Sequence, residues 1–286
     1  MIQTQRPHLS VATSTHQGRS GKSNEDRLGV ASFRRASGES VLFAVVSDGI
    51  GGHRAGEVAA ELTVKHMVKQ VGASAGEDPN RIMETAIHSA SQAILQRAAS
   101  HPDQAGMGST CACVWLDGER LYTAHVGDSR IYLVRGGMLV RTTVDHTWIQ
   151  EAIEKGVIRP EQARHHPNAH VLRRYLGSPE PAQVDTRLYL AAGESDEQAI
   201  SNQGLHFGPQ DLLLVCSDGL TDLVDDDKIL DVLMSSSKLR SSADALVQTA
   251  NENGGYDNIT VVLIGTVPSS QSVNEKRGFL QNILRV

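Results

Sequence analysis

The chain has 286 residues, 40% hydrophobic and 21% charged, with a formal net charge of −6. That length and composition suit one large globular domain with an ample core, which excludes disorder as the default state, and the acidic balance offers no basic field for a nucleic-acid backbone. The three cysteines, Cys111, Cys113 and Cys216, all fall inside apolar runs, and no stretch has the length of a signal-peptide core or a membrane span, so reduced buried thiols in a cytoplasmic protein are expected.

In chain order, the apolar run 41–46 predicts a buried strand that ends at Ser47-Asp48-Gly49. The spacing of Val58, Leu62, Met67 and Val68 predicts a helix over 57–71. A second is predicted over 79–99, with Asp78 as its cap and Pro79 in its first turn. Runs 111–116, 120–126, 131–135 and 138–142 are separated by Asp117-Gly118-Glu119, Gly127-Asp128-Ser129 and Gly136-Gly137, which describes a meander of antiparallel strands. A shorter helical tract with turns over 148–163 leads into the polar stretch 164–170, and residues 191–210 read as a surface insertion. Strand 212–216 ends at Ser217-Asp218-Gly219. Helices are expected near 227–234, with Asp225-Asp226-Asp227 as cap and dipole compensation, and over 242–252. A last strand at 259–264 follows Gly255-Tyr256-Asp257-Asn258. Residues 1–9 read as an extension and 267–286 as a disordered tail with one apolar patch at 278–284. Strand and helix blocks do not alternate regularly, so the expected architecture is α+β, with packed antiparallel sheets and helices outside them.

Two near-identical Ser-Asp-Gly sites lie at strand ends about 170 residues apart, and Asp257 leads into a third strand. A lone Asp before Gly is ordinarily a turn former. An antiparallel third strand would nevertheless bring Asp48, Asp218 and Asp257 together, and carboxylates so crowded repel unless they hold cations or protons. An all-oxygen donor set favours Mg²⁺ or Mn²⁺ over zinc. No cysteine lies in a phosphate-cradling loop, and Arg54 stands where a dinucleotide-binding fingerprint needs its last glycine.

Seven motifs occur in one order: Asn24-Glu25-Asp26, Asp48-Gly49-Ile50-Gly51-Gly52-His53, Gly108-Ser109-Thr110, Val126-Gly127-Asp128-Ser129-Arg130, residues 172–177, Cys216-Ser217-Asp218-Gly219-Leu220, and residues 255–261. Over residues 10–266 the chain closely resembles the metal-dependent type 2C (PPM) protein phosphatases in their compact bacterial form. The resemblance implies a four-layer α-β-β-α sandwich and hydrolysis of phosphoserine or phosphothreonine by water activated between two Mn²⁺ or Mg²⁺ ions, in opposition to a bacterial kinase. It implies that Asp48 bridges the two ions, that the Gly49 carbonyl, Asp218 and Asp257 complete their ligands, and that Asp128 holds a weaker third ion together with Asp218. Asp26 and Glu25 fall beside the reacting water. The family's phosphate-gripping Arg is replaced by Gly21, which leaves Arg19 and Lys22 as the nearby cations. Ile50 occupies the place of a proposed acid, with His53 as a candidate substitute. His165, His166 and His170 fall on a flap, over about 145–177, with His166 a candidate substrate contact. The expected partners are phosphoproteins and a kinase, with no nucleic acid or membrane, and a monomer is expected. The competing readings are a phosphatase for one regulatory protein and a catalytically silent phosphoprotein-binding module, although the intact acidic set speaks against silence.

Overall fold

The structure is a computed structural model that describes residues 1–51, 55–163 and 166–265. The chain begins with β1 (Ile2–Thr4), β2 (Val11–His16), β3 (Arg27–Arg34), β4 (Ser40–Ser47) and the short β5 (Gly49–Ile50), followed by α1 (Ala55–Ala73) and α2 (Pro79–Ser100). Next come β6 (Gly108–Ser109), β7 (Cys111–Asp117), β8 (Arg120–Val126), β9 (Arg130–Arg135), β10 (Met138–Arg141), α3 (Trp148–Glu154) and α4 (Asp196–Ser201). The last elements are β11 (Leu205–His206), β12 (Leu212–Cys216), α5 (Asp218–Thr221), α6 (Asp226–Met234), α7 (Leu239–Glu252) and β13 (Ile259–Gly265).

The strands form a six-stranded sheet ordered β1-β3-β4-β7-β8-β11 and a five-stranded sheet ordered β10-β9-β12-β13-β2, all pairs antiparallel. The period of two along a strand assigns each side chain to one layer. On β4, Val41, Phe43 and Val45 pack beneath α1 and α2, whereas Leu42, Ala44 and Val46 enter the core between the sheets. On β12, Leu212, Leu214 and Cys216 face α6 and α7 while Leu213 and Val215 enter the same central core. Both faces of these strands are covered, which is why their sequences are continuously apolar rather than alternating. The result is the α-β-β-α sandwich. All three cysteines are buried and unbridged.

The predicted helices are found with slightly wider bounds, and the Asp78 side chain accepts from the Arg81 N–H as a cap should. Two expectations are corrected. The four predicted meander strands form two hairpins, β7–β8 in one sheet and β9–β10 in the other, and the chain crosses between sheets at Gly127-Asp128-Ser129. The tract over 148–163 is, as expected, helical with turns: α3 runs to Glu154 and a 3-10 turn follows at Pro160–Gln162. Asp225 sits at the cap position of α6 but its side chain makes no cap hydrogen bond, while Asp226 and Asp227 in the first turn give the expected dipole compensation. Within residues 1–9, β1 pairs with β3, and residues 191–210 contribute α4 and β11, the latter paired with β8. His53, His165 and the patch at 278–284 lie outside the described residues. Among those described, no helix is long and apolar enough to cross a membrane.

Candidate active site

Three strand ends, two in one sheet and one in the other, build the site. β12 and β13 run antiparallel with Cys216 opposite Val261, and the Ser217 N–H donates to the Thr260 carbonyl at 3.1 Å. Asp218, just past the end of β12, therefore lies beside Asp257, just before the start of β13. Asp48 arrives from β4, in the opposite sheet. Its backbone is fixed by Thr110: the Thr110 N–H donates to the Asp48 carbonyl at 2.8 Å and the Asp48 N–H to Thr110 Oγ1 at 2.9 Å. Thr110 Oγ1 also shares a 2.7 Å hydrogen bond with Ser129 Oγ, which ties this strand end to the crossover that carries Asp128.

Asp26 is buried, and its Oδ2 accepts from Ser217 Oγ at 2.7 Å. The segment before β3 is held by Asn258, whose Oδ1 accepts from the Glu25 N–H at 2.7 Å while its Nδ2 donates to the carbonyls of Gln17 (3.0 Å) and Ser23 (3.1 Å). Gly49 and Gly56 touch backbone to backbone, since a Cβ on Gly49 would fall 2.2 Å from the Gly56 carbonyl oxygen. The Glu25 carboxylate reaches the same place, 2.8 Å from where a Gly56 Cβ would stand.

The carboxylates share one electrostatic problem. Burial, above all, and then the neighbouring carboxylates hold Asp48 and Asp128 well above the usual range and raise Asp218. Burial pushes Asp26 up to about 7 against the hydrogen bonds from Ser217 and Thr260, with Asp218 and Asp257 adding to the rise. The charges of Asp26, Asp218 and Asp128 around Asp48 add to its rise. Asp26 Oδ1 and Asp218 Oδ1 are buried without a hydrogen-bond partner. An oxygen-only cluster with orphaned acceptors fits a hard divalent cation.

The protein phosphatase 2C family profile matches residues 14–264. The chain belongs to the protein phosphatase 2C family. The phosphatase is 34% identical over 254 residues to the serine/threonine phosphatase stp of Listeria welshimeri, covering 87% of this chain and 93% of the relative. It is also 34% identical over 238 residues to the serine/threonine protein phosphatase PstP of Mycobacterium tuberculosis, covering 82% of this chain and 43% of that one. The S. agalactiae serine/threonine phosphatase superposes with a TM-score of 0.79 at 29% identity, over 91% of this chain and all of that one (100%). The catalytic domain of PstP in complex with two manganese ions superposes at 0.73 and 31% identity, over 91% of this chain and 98% of that one. The chain is a metal-dependent protein serine/threonine phosphatase.

One carboxylate beside the cluster was not picked out in the sequence. Asp222, on the turn after α5, has its Oδ2 3.2 Å from His170 Nδ1, and Asp218, Asp222 and His170 bring one donor atom each within 4.8 Å of one another. Burial, then the Asp218 charge, pushes Asp222 up to about 7. The signal was its place four residues after Asp218 on a helical turn, which returns both to the same face. His166 instead stacks on Trp148 with ring centroids 5.1 Å apart, within the flap's own packing, so His170 is the flap histidine that faces the carboxylates. Arg19 is anchored by its backbone N–H to the Gly255 carbonyl at 2.6 Å and lays its stem along Gly255, whereas Lys22 Nζ stands 4.0 Å from Asp257 Oδ2.

The crossover bearing Asp128 is clamped by His146. The His146 N–H donates to the Gly127 carbonyl at 3.0 Å, and the Gly127 N–H donates to His146 Nδ1 at 3.1 Å. With Nδ1 accepting, the ring proton sits on Nε2, 3.3 Å from Asp185 Oδ2, and Arg187 forks onto the same Asp185 carboxylate. His125 stacks on His146 at 4.6 Å, and its Nε2 lies 2.8 Å from the Val144 carbonyl. These ring nitrogens are largely committed and a guanidinium is already present, so the His125, His146 and Asp185 group is a structural clamp rather than a cation site.

Gly219 offers a direct test of this geometry. A Cβ there would stand 2.0 Å from the Asn258 carbonyl oxygen, so Gly219→Ala must separate β12 from the start of β13 and with it Asp218 from Asp257. The expected result is a loss of about 2–4 kcal/mol in stability, read by urea unfolding, and Mn²⁺ affinity weakened by about tenfold or more. A variant with wild-type affinity would show that the close approach is not needed.

Proposed function

We propose that Asp48, the Gly49 carbonyl, Asp218 and Asp257 hold two Mn²⁺ or Mg²⁺ ions, and that Asp128, Asp218 and Asp222 hold a third, weaker one. The observation that carries this reading is the meeting of Asp48 from one sheet with Asp218 and Asp257 from the other around the orphaned Oδ1 of Asp218. The PstP structure in complex with two manganese ions supports the two inner ions. Such ions supply a water acidic enough to attack phosphorus near neutral pH and offset the charge on the phosphoryl oxygens. Asp26 contributes an acceptor: positive charge nearby draws its pKa back down, leaving Oδ1 ionised to take or orient a proton of the attacking water while Ser217 fixes Oδ2. Glu25, held through its N–H by Asn258, lines the same space. Lys22 and Arg19 supply positive charge to the substrate phosphate from the loop before Asn24, Lys22 as a point charge and Arg19 as a fork. The substrates are phosphoserine and phosphothreonine proteins made by a kinase of the same bacterial cytoplasm, and the phosphatase acts on them as a monomer.

Phosphate release from a phosphothreonine peptide tests the reading. It is expected to require added Mn²⁺ or Mg²⁺ and to stop with chelator. Binding of the peptide without turnover under saturating Mn²⁺ would favour the silent module instead. In the same assay Lys22→Ala and Arg19→Ala are each expected to raise KM by about three- to tenfold, and Gly21→Arg to lower it. Unchanged KM in both alanine variants would remove the loop from phosphate binding.

A further inference from the structure

Tyr256 is 71% exposed and stands immediately before Asp257, so a large ring is left open to solvent about 3.8 Å along the backbone from a carboxylate of the cluster. The loop beneath the ring is fixed. Gly254 has φ +133°, and its bare backbone lies against the ring: a Cβ there would stand 2.5, 2.8 and 2.9 Å from the ring atoms Cζ, Cε2 and Cε1. The Gly255 N–H donates to the Ala250 carbonyl at 3.1 Å, and the Gly255 carbonyl accepts from the Arg19 N–H at 2.6 Å. Tyr256 also lines a groove of about 680 Å³ that contains Asp218 and Asp257 and continues past Ile149, Pro160 and Ala163 of the flap. That is room for several side chains rather than for a phosphoryl group alone. The charged groups along it are engaged within the protein: Arg130 forks onto Asp145 with its terminal nitrogen 2.8 Å away, Tyr132 Oη donates to Asp226 Oδ1 at 3.0 Å, and Asp222 and Asp225 both have partners. What the groove offers a substrate beyond the carboxylate cluster is therefore apolar surface, with Tyr256 contributed by the loop before β13 and the other groups by the flap.

We propose that Tyr256 is a specificity-determining residue, whose ring is the platform for an apolar side chain one or two positions from the phosphorylated residue of a protein substrate. An extended chain advances about 3.3 Å per residue, so the neighbours of a residue whose phosphoryl group sits at the cluster pass over the rim that Tyr256 occupies. The fixed loop lets the ring receive them without being ordered first. This rests on the phosphatase reading, because the phosphoryl group must sit at the carboxylate cluster for its neighbours to reach the ring. It adds a determinant that the reaction itself does not require, since the chemistry involves only the phosphoryl group.

The test compares phosphothreonine peptides with glycine at every flanking position but one, which carries leucine, glutamine or lysine and is scanned over two positions on each side. For the wild-type enzyme with Mn²⁺, kcat/KM is expected to favour leucine over glutamine by about tenfold at one or two positions, chiefly through KM, and added salt is expected to leave that ratio in place. In Tyr256→Ala the ratio is expected to fall to about twofold or less. Because the ring is largely exposed, truncating it opens no core cavity. Tyr256→Phe, which keeps the ring and loses only the hydroxyl, is expected to retain the wild-type ratio. Hydrolysis with no preference for leucine at any position, or a preference for lysine that shrinks with salt, would overturn the proposal while leaving the phosphatase reading intact. A preference for leucine that survives Tyr256→Ala, or is lost in Tyr256→Phe, would overturn the role of the ring. No hydrolysis of any peptide by the wild-type enzyme would remove the phosphatase reading and this proposal with it.

Discussion

Asp48→Ala is expected to lower kcat for a phosphothreonine peptide by about a thousandfold or more, while the metal-free variant unfolds at the same temperature as the wild type or higher. The two results come from one cause. Asp48 is raised by burial and by the Asp26, Asp218 and Asp128 charges. Removing it relieves repulsion in the cation-free protein and, on the proposed assignment, removes a ligand from the cation-loaded one. Its backbone anchors to Thr110 do not depend on the side chain, so the strand end stays in place. Steady-state kinetics and thermal unfolding on the same sample check both. A loss of less than about tenfold, or a fall in stability that matches the fall in turnover, would contradict the assignment.

Metal removal is expected to give the phosphatase an unusual pH profile. Asp26 and Asp222 are pushed up to about 7, and Asp48, Asp128 and Asp218 are raised as well, so the folded chain keeps protons that the unfolded chain releases. For such groups the folded state binds more protons, so stability falls as pH rises from the unfolded values near 4 through the folded ones. His125 works in the opposite direction: burial lowers it to about 4, so its contribution grows between about pH 4 and 6.5 and is complete above that range. The carboxylates are therefore seen alone between about pH 6.5 and 8. There the melting temperature in chelator is expected to drop by about 5 °C or more, and saturating Mn²⁺ is expected to abolish the drop by replacing protons with cations. Asp26→Asn should flatten the slope. A melting temperature in chelator that rises through this window would show that the carboxylates are not crowded as described.

Much of this was legible because the chemistry sits at strand ends punctuated by glycine. The continuous apolar runs before Asp48 and Asp218 and after Asp257 mark strands covered on both faces, and the helical rhythm of α1 and α2 is carried by many residues. The seven motifs then implied the sandwich. What escaped notice has physical reasons. β2 reads Val11-Ala12-Thr13-Ser14-Thr15-His16, an edge strand with too few apolar residues to stand out, and β3 mixes Arg27, Gly29 and Ser32 into its run. The crossing between sheets at Gly127 looks like a hairpin turn locally. What separates β8 from β9 is the grip of His146, which arrives from 19 residues later. Asp222 carries no glycine beside it and becomes visible only when α5 folds it back toward Asp218. His166 drew attention through its neighbours His165 and His170, but its stacking on Trp148 is a tertiary contact that a local pattern does not contain.

Anomalous scattering at the manganese absorption edge, from crystals grown with Mn²⁺, tests the central claim most directly. Two strong peaks are expected among Asp48, Gly49, Asp218 and Asp257, with a weaker one beside Asp128 and Asp222 that disappears first as Mn²⁺ is lowered. No peak among these residues, or a sole peak at His125, His146 and Asp185, would contradict it.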